Sequence, residues 1–349
     1  MSSDSQEPLL QVRNLRAVYD SARGPVHALN GVSFTVSPGE VLALVGESGS
    51  GKSATALSIM ALIQRTSGRV TGGEVRLGGR DLLTLDERGR RAVRGSEIAL
   101  VFQNPMTTLN PTRTIGAQLR EVLRRHLPLD RKAADARALE LLEMVEIPDA
   151  RDRLKSYPHQ LSGGLRQRVM IALALSCDPK LVIADEATTA LDVTTQAQIL
   201  RLMRRLTTES GTAMVVITHN MGVVAGLADR VAVMYAGRIV EIGEVRDIFR
   251  APRHPYTAGL LAAIPRMDTE RSKDLVTIEG RPPSLLDPKP GCPFVERCWL
   301  AMDKCAVQAP EPINPQTHSA ACWADPELVR QGPRPLSPEL TTTGAKELS

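Results

Sequence analysis

The chain has 349 residues, 42% of them hydrophobic and 23% charged, with a net charge of +4. These are ordinary values for a soluble globular protein, long enough for one large domain plus an appendage, and aromatics at 3% leave the core to aliphatic side chains. No apolar run is long enough to span a bilayer. The densest basic run, "DERGRRAVRG", is interrupted by acids and has no interleaved aromatics, so it reads as a solvated face and nucleic acid is not an expected partner. The opening "MSSDSQEPLL" has neither the basic nor the apolar region of a signal peptide, which points to the cytoplasm, where thiols stay reduced.

In chain order, "LLQVRNLRAVY" and "HALNGVSFTV" read as strands, with "SPGE" as the turn after the second. "VLALV", Val41 to Val45, is the continuous apolar run of a buried parallel strand, and a Gly-rich turn and a helix from about Lys52 to Ile63 follow it. Residues from about Pro111 to Glu146 are expected to be helical. A further helix, "GGLRQRVMIALALS", leads into the apolar run "LVIAD". Then come a helix ("TTQAQILRLMRRLTTE"), a strand ("AMVVIT"), a short helix, and paired strands "RVAVMY" and "RIVEIG" about Ala236 and Gly237. Alternating strands and helices predict an α/β architecture with the long helical stretch inserted as a subdomain. Beyond Arg250 prolines recur, which predicts a small loop-rich C-terminal domain at about 251–325 and a disordered tail at 326–349.

"GESGSGKS" comprises Gly46, Glu47, Ser48, Gly49, Ser50, Gly51, Lys52 and Ser53, and fits G-x-x-x-x-G-K-[ST] between a buried strand and a helix. Backbone N–H groups of such a loop close around phosphates, and the helix N-terminus adds partial positive charge. Lys52 would reach the β- and γ-phosphates of ATP, and Ser53 would be a ligand of Mg²⁺. "LVIADE" ends a hydrophobic strand with Asp185, suited to hold Mg²⁺ through water, and Glu186, suited to polarise an attacking water. "LSGGLRQR" places Ser162, Gly163 and Gly164 at a helix start, a second anion site that makes sense if it serves a partner's nucleotide.

Phosphate loop, Gln103, signature, "DE", "ALD" and His219 occur in the order found in the ABC-type ATPases, and the chain resembles that superfamily from residue 9 to about 250. The resemblance implies a P-loop ABC ATPase core, a parallel sheet plus an antiparallel β subdomain, over 1–250. It also implies a helical subdomain at about 104–178 and a dimer with ATP at the seam. In that frame Tyr19 would stack on adenine, and Gln103 would sense Mg²⁺ and the γ-phosphate. Ser162, Gly163 and Gly164 would contact the opposite subunit's ATP. Asp192 would sit at the dimer seam, His219 would hydrogen-bond the γ-phosphate, and Glu186 would be the general base.

"QNPMTTLNPTRTIGAQL", "YPHQLSGGLRQRVMIALAL", "ALDVTTQAQIL" and "HPYTAGLLAAIP" are similar to the ATPase subunits of bacterial dipeptide and oligopeptide importers. That implies an ATP-hydrolysing subunit on the cytoplasmic face of the membrane, working with two transmembrane permease subunits and a second homologous ATPase. An extracytoplasmic peptide-binding protein would act through the complex. Nickel or another small solute is the alternative cargo, since cargo choice lies in other subunits. Leu165 and Ala187 depart from the usual methionine and proline without removing a functional group. A soluble ABC protein of ribosomes or DNA is the distant alternative. It would need two cassettes or a long coiled coil, and the sequence has one cassette and no extended heptad run.

Four of the five cysteines, Cys292, Cys298, Cys305 and Cys322, fall near the end of the sequence. Four thiolates in a reducing compartment point to a soft metal centre, either a [4Fe–4S] cluster or tetrahedral zinc. No pair lies two to four residues apart, as structural zinc sites usually have, though spacing alone does not decide. The importer resemblance covers "CPFVERC" and the next two cysteines, and it too implies a [4Fe–4S] cluster. His318 could be a stand-in ligand but reads rather as a surface residue, and Cys177 reads as a small core residue.

Overall fold

The structure, a computed structural model, describes residues 7–102, 108–187, 193–264, 278–310 and 313–332. Among these, one sheet is four-stranded and antiparallel, in the order β2 (Gly24–Val36), β1 (Leu10–Ser21), β4 (Gly68–Leu77) and β5 (Arg80–Asp81). The other has seven strands, in the order β11 (Ser319–Ala320), β10 (Arg238–Glu244), β9 (Arg230–Tyr235), β3 (Val41–Val45), β8 (Ala213–Thr218), β7 (Leu181–Asp185) and β6 (Ile98–Val101). From β9 to β6 the pairings are parallel, and β10 pairs antiparallel with β9 and β11. β3 is buried along its whole length because it lies mid-sheet with both faces covered. β2 alternates instead, burying Val32, Phe34 and Val36, since its other face meets solvent. These residues pack with Leu42 and Leu44 of β3 and Ile59 of α1 into a core shared by the two sheets.

The helices are α1 (Lys52–Ile59), α2 (Glu87–Val93), α3 (Ile115–His126), α4 (Arg131–Met144), α5 (Ala150–Arg153), α6 (Gly163–Leu175), α7 (Val193–Ser210), α8 (Met221–Leu227), α9 (Val245–Arg250), α10 (Pro255–Ala262), α11 (Asp303–Val307) and α12 (Pro326–Arg330). None of the described helices is long and apolar enough to cross a membrane. The helical stretch expected over 111–146 is two helices. Pro128 cannot continue α3, and the Asp130 carboxylate accepts from Ala133 N–H at 2.7 Å, which starts α4. Leu119 and Leu123 of α3, Ala138 and Leu142 of α4, and Val169 and Ala172 of α6 share one core that joins this subdomain to the main sheet. α1 stops at Ile59, short of the expected Ile63, which opens a separate 3₁₀ turn, Ile63–Arg65. β4 has no counterpart in the sequence reading, because Gly72 and Gly73 interrupt its alternation.

The C-terminal extension does not stand apart from the first 250 residues. β11 extends the main sheet, Glu241 pairing with Ala320 and Ile242 with Ser319. Tyr256 and Phe294 pack in one cluster with Val45, Val233 and Tyr235. The expected disorder from 326 fails for the first residues, which form α12. Asp325 accepts from Glu327 N–H at 2.8 Å, Pro326 occupies the first helical turn, and Val329 is fully buried. His318 is not a surface residue either, since its side chain is 10% exposed and its Nε2 lies 2.9 Å from the buried carboxylate of Glu241.

Candidate functional site

The phosphate loop joins the end of β3 to the start of α1. At Gly46 (φ +153°) a Cβ would collide with the Met234 carbonyl, and at Gly51 (φ +107°) it would meet the Ala28 carbonyl at 2.7 Å. Only glycine lets the backbone turn this tightly. Gly51 caps α1 without a side-chain hydrogen bond, so the first amides of the helix remain open to an anion. Ser48 and Gly49 form the exposed tip of the loop, while the Ser50 hydroxyl is buried with no partner among the described residues. Lys52 Nζ donates to the carbonyls of Gly46 (2.8 Å) and Glu47 (2.9 Å), which folds the ammonium into the loop. Burial holds the Lys52 pKa below its usual value, opposed by the carboxylates of Glu186, Asp185 and Glu47.

One strand, β7, brings both carboxylates, and its neighbour β8 brings His219, to the carboxyl end of the sheet where α/β folds bind ligands. Asp185 closes β7, and its Oδ1 accepts from the Ser53 hydroxyl at 3.1 Å. Burial pushes the Asp185 pKa up, with the Ser53 hydrogen bond opposing. Divalent-cation binding would offset that cost, so Ser53 and Asp185 fit a Mg²⁺ site by chemistry and spacing. Glu186 adopts φ +47°, left-handed backbone that a glutamate rarely takes, and its N–H donates to Ile217 O on β8 at 2.9 Å. His219, just past β8, places Nδ1 3.2 Å from Glu186 Oε1.

The structure thus gathers Lys52, Ser53, Asp185, Glu186 and His219. The signature lies on another element. Ser162 caps α6, accepting from Leu165 N–H at 3.4 Å, and Ser162 and Gly163 are exposed. Gly164 is tight against Thr195 of α7, where a Cβ would meet Cγ2 at 2.7 Å. Tyr19 sits in β1 with its ring against Gly68, and burial raises its hydroxyl's pKa while Thr66 opposes the shift. Gln103 and Asp192 lie outside the described residues. Leu165 packs half-buried against the helical core, and Ala187, directly after Glu186, is buried in it.

Two residues not singled out in the sequence reach the loop from the extension. The Tyr256 hydroxyl accepts from Glu47 N–H at 2.8 Å, and Arg297 pairs with the Glu47 carboxylate. Both lie within family-like stretches, "HPYTAGLLAAIP" and "CPFVERC", but nothing in the spacing says that those stretches fold back onto the loop.

Cys292, Cys298, Cys305 and Cys322 line a single small cavity, all four as free thiols. Cys292 N–H donates to Cys305 O at 2.8 Å, which ties the first and third together. Burial pushes the thiols up, Cys292 to about 11 and Cys298 to about 12, and raises Cys322 as well. Such thiols stay protonated at neutral pH unless a metal displaces the proton. The four are nonetheless not drawn together around a single ion. Among the described residues, no group of three or more His, Cys, Asp or Glu side chains could hold a metal ion. Cys177 is buried in the helical region, as the sequence suggests.

Residues 29–189 match the ABC transporter family, and residues 240–305 match the C-terminal region of the oligopeptide/dipeptide transporters. The chain is 49% identical to the dipeptide transport ATP-binding protein DppD of Bacillus subtilis over 91% of this chain and 95% of that protein. The chain belongs to the ATP-binding subunits of the oligopeptide/dipeptide ABC transporters. The oligopeptide transport ATP-binding protein OppD of Salmonella typhimurium is 51% identical over 85% of this chain and 88% of that protein. Among solved structures, the ATP-binding cassette MJ0796, a dimer in a post-hydrolysis state bound to ADP and Pi, is 30% identical. It superposes with a TM-score of 0.61 over 68% of this chain and 99% of that chain. As a member of this family the chain is an ATPase that uses ATP and Mg²⁺, dimerises, and drives transport with membrane permease subunits.

Proposed function

We propose that the chain powers import of dipeptides or oligopeptides from the cytoplasmic face of the membrane. It would do so bound to two permease subunits and paired with a second, homologous ATPase, with an extracytoplasmic binding protein delivering the peptide. The observation that carries this reading is the match of both parts of the chain, cassette and C-terminal region, to relatives named for dipeptide and oligopeptide transport.

Within the site, the loop from Gly46 to Gly51 holds the phosphates with its amides, and Lys52 neutralises the β- and γ-oxygens. Ser53, Asp185 and Gln103 would hold Mg²⁺, which when bound would supply neutralisation of phosphate charge. Glu186 accepts a proton from the water that attacks the γ-phosphorus, and His219, held beside it, hydrogen-bonds the γ-phosphate. Ser162, Gly163 and Gly164 of one protomer close on the ATP of its partner, Asp192 meets the partner at the seam, and Tyr19 lies against adenine. We assign the ATPase core to 1–250 and the extension to 251–325. The test is assembly. The isolated chain should hydrolyse ATP slowly and be stimulated by its permeases and sister subunit. Full activity in a dilute monomer, unchanged with concentration, would overturn the reading.

The cysteines of the extension hold a structural [4Fe–4S] cluster in this proposal. Four thiols on one cavity support it, because a cubane spreads its thiolates farther apart than a single ion does. Anaerobic purification with iron and sulfide assays checks it. About four irons per chain, lost together in Cys298→Ser, are expected for four cysteine ligands; zinc without iron would refute the cluster.

A further inference from the structure

Glu47, the second residue of the phosphate loop, is gripped from the C-terminal extension at both backbone and side chain. Its N–H donates to the Tyr256 hydroxyl at 2.8 Å. Its carboxylate accepts from Arg297 twice, Nη1 to Oε2 at 2.9 Å and Nη2 to Oε1 at 3.1 Å. Arg297 is itself locked in place. Nε donates to Glu279 O at 2.8 Å, Nη2 to Ile278 O at 3.0 Å, and Nη1 to the Tyr235 hydroxyl at 3.2 Å. The guanidinium stands 5.7 Å from the Tyr235 ring centroid and 5.9 Å from that of Phe294. Its side chain is only 5% exposed, against 26% for Glu47. A bidentate pair this well fixed is stronger and more directional than a surface ion pair.

The position of the pair matters. Lys52 donates to Glu47's own carbonyl at 2.9 Å, so the carboxylate of Glu47 and the ammonium meant for phosphate belong to neighbouring points of one tight loop. A carboxylate released there would attract Lys52 and repel the polyphosphate, and partial burial would strengthen both effects.

We propose that Arg297 is a positioning residue of the ATP site: by holding the Glu47 carboxylate on the extension, it leaves Lys52 free for the nucleotide's phosphates. The extension is thereby part of the nucleotide site. This rests on the reading of the loop as the ATP site and adds to it a residue 250 positions away in sequence.

The experiment measures the Kd of a fluorescent N-methylanthraniloyl-ATP with Mg²⁺ on the full chain. Arg297→Gln is expected to raise Kd by about tenfold, the effect of leaving one member of a partly buried charge pair unmatched. Glu47→Gln alone leaves the Arg297 guanidinium unmatched within the extension but puts no carboxylate beside Lys52, so its Kd should rise less than that of Arg297→Gln; an equal or larger rise would count against the proposal. The double variant should return to within about threefold of the unaltered chain. A merely structural role for Arg297 would leave the double variant as weak as the single one, and that result would overturn the proposal. So would an unchanged Kd in a folded Arg297→Gln chain. If Arg297→Gln does not fold, Arg297→Lys, which keeps the charge but not the bidentate fork, should raise Kd by about threefold or more; an unchanged Kd there would count against the proposal. Lys52→Ala serves as the control. If Lys52→Ala binds as well as the unaltered chain, the ATP reading itself falls, and this inference with it.

Discussion

The residues gathered at the proposed ATP site leave the ends of β3, β7 and β8, three adjacent parallel strands of the main sheet, whereas of the four cysteines only Cys305 lies in a helix or strand, α11. In the first region regular backbone sets the spacing. Consecutive residues such as Lys52 and Ser53, or Asp185 and Glu186, arrive together because the strands before them do. In the second region the local hold on the sulfurs is limited to backbone amides, such as Ala324 N–H donating to Cys322 Sγ at 3.4 Å. The extension is placed by distant contacts, Phe294 against Tyr235 and Tyr256, β11 against β10, and Arg297 against Glu47. The ends of adjacent strands set the spacing of the first site, whereas long-range packing places the second and, through Arg297, also reaches the first.

The largest effect expected in the first region comes from Lys52→Ala. Removing the ammonium should weaken nucleotide binding by about 100-fold or more and abolish measurable hydrolysis, since charged partners of phosphate contribute several kcal/mol. Fluorescence titration checks this, and retained affinity would overturn the reading of this loop as the ATP site. In the second region, Phe294→Ala should cost about 3–5 kcal/mol of stability, as loss of a fully buried aromatic does. If the extension is one cooperative unit with the ATPase core, ATP affinity should fall in the same urea titration that unfolds it. Separate transitions would restore the picture of an independent appendage.

A smaller effect concerns acid. His254 is fully buried, and burial lowers its pKa from the usual 6.5 to about 3. The unfolded chain therefore binds one more proton than the folded chain between those values, and stability falls as pH drops below 6.5, by up to about 1.4 kcal/mol per pH unit. Nδ1 of His254 accepts from Tyr256 N–H at 3.1 Å, so His254→Asn keeps a cap and removes the titration. Urea midpoints at pH 5 and 7.5 should differ less in that variant; an equal difference would place the acid sensitivity elsewhere. The smallest change is Tyr256→Phe, which deletes the acceptor for Glu47 N–H and should cost about 1 kcal/mol, seen as a few-fold rise in Kd for ATP.

The contrast also explains what was legible in the sequence. The strand before the loop, the "LVIAD" strand and the paired strands about Ala236 and Gly237 show in apolar runs and turn residues, because each is decided within about ten neighbours. β4 was hidden by its two central glycines, and the break between α3 and α4 falls at Pro128, inside a stretch read as helical throughout. Arg297 and Tyr256 were quoted as parts of family-like stretches, yet their contacts with Glu47 depend on the whole sheet and cannot be read from spacing. His318 misled for the same reason. Its partner, Glu241, is a charged residue in a strand that the extension covers.

The central claim is that Glu186, poised beside His219 and Asp185, is the base of an ATPase, and the most direct test measures binding and hydrolysis side by side on Glu186→Gln with the permease subunits present. The account predicts ATP affinity within about threefold of the unaltered chain and hydrolysis slower by ~10²–10⁴-fold. Near-normal turnover in that variant would contradict it.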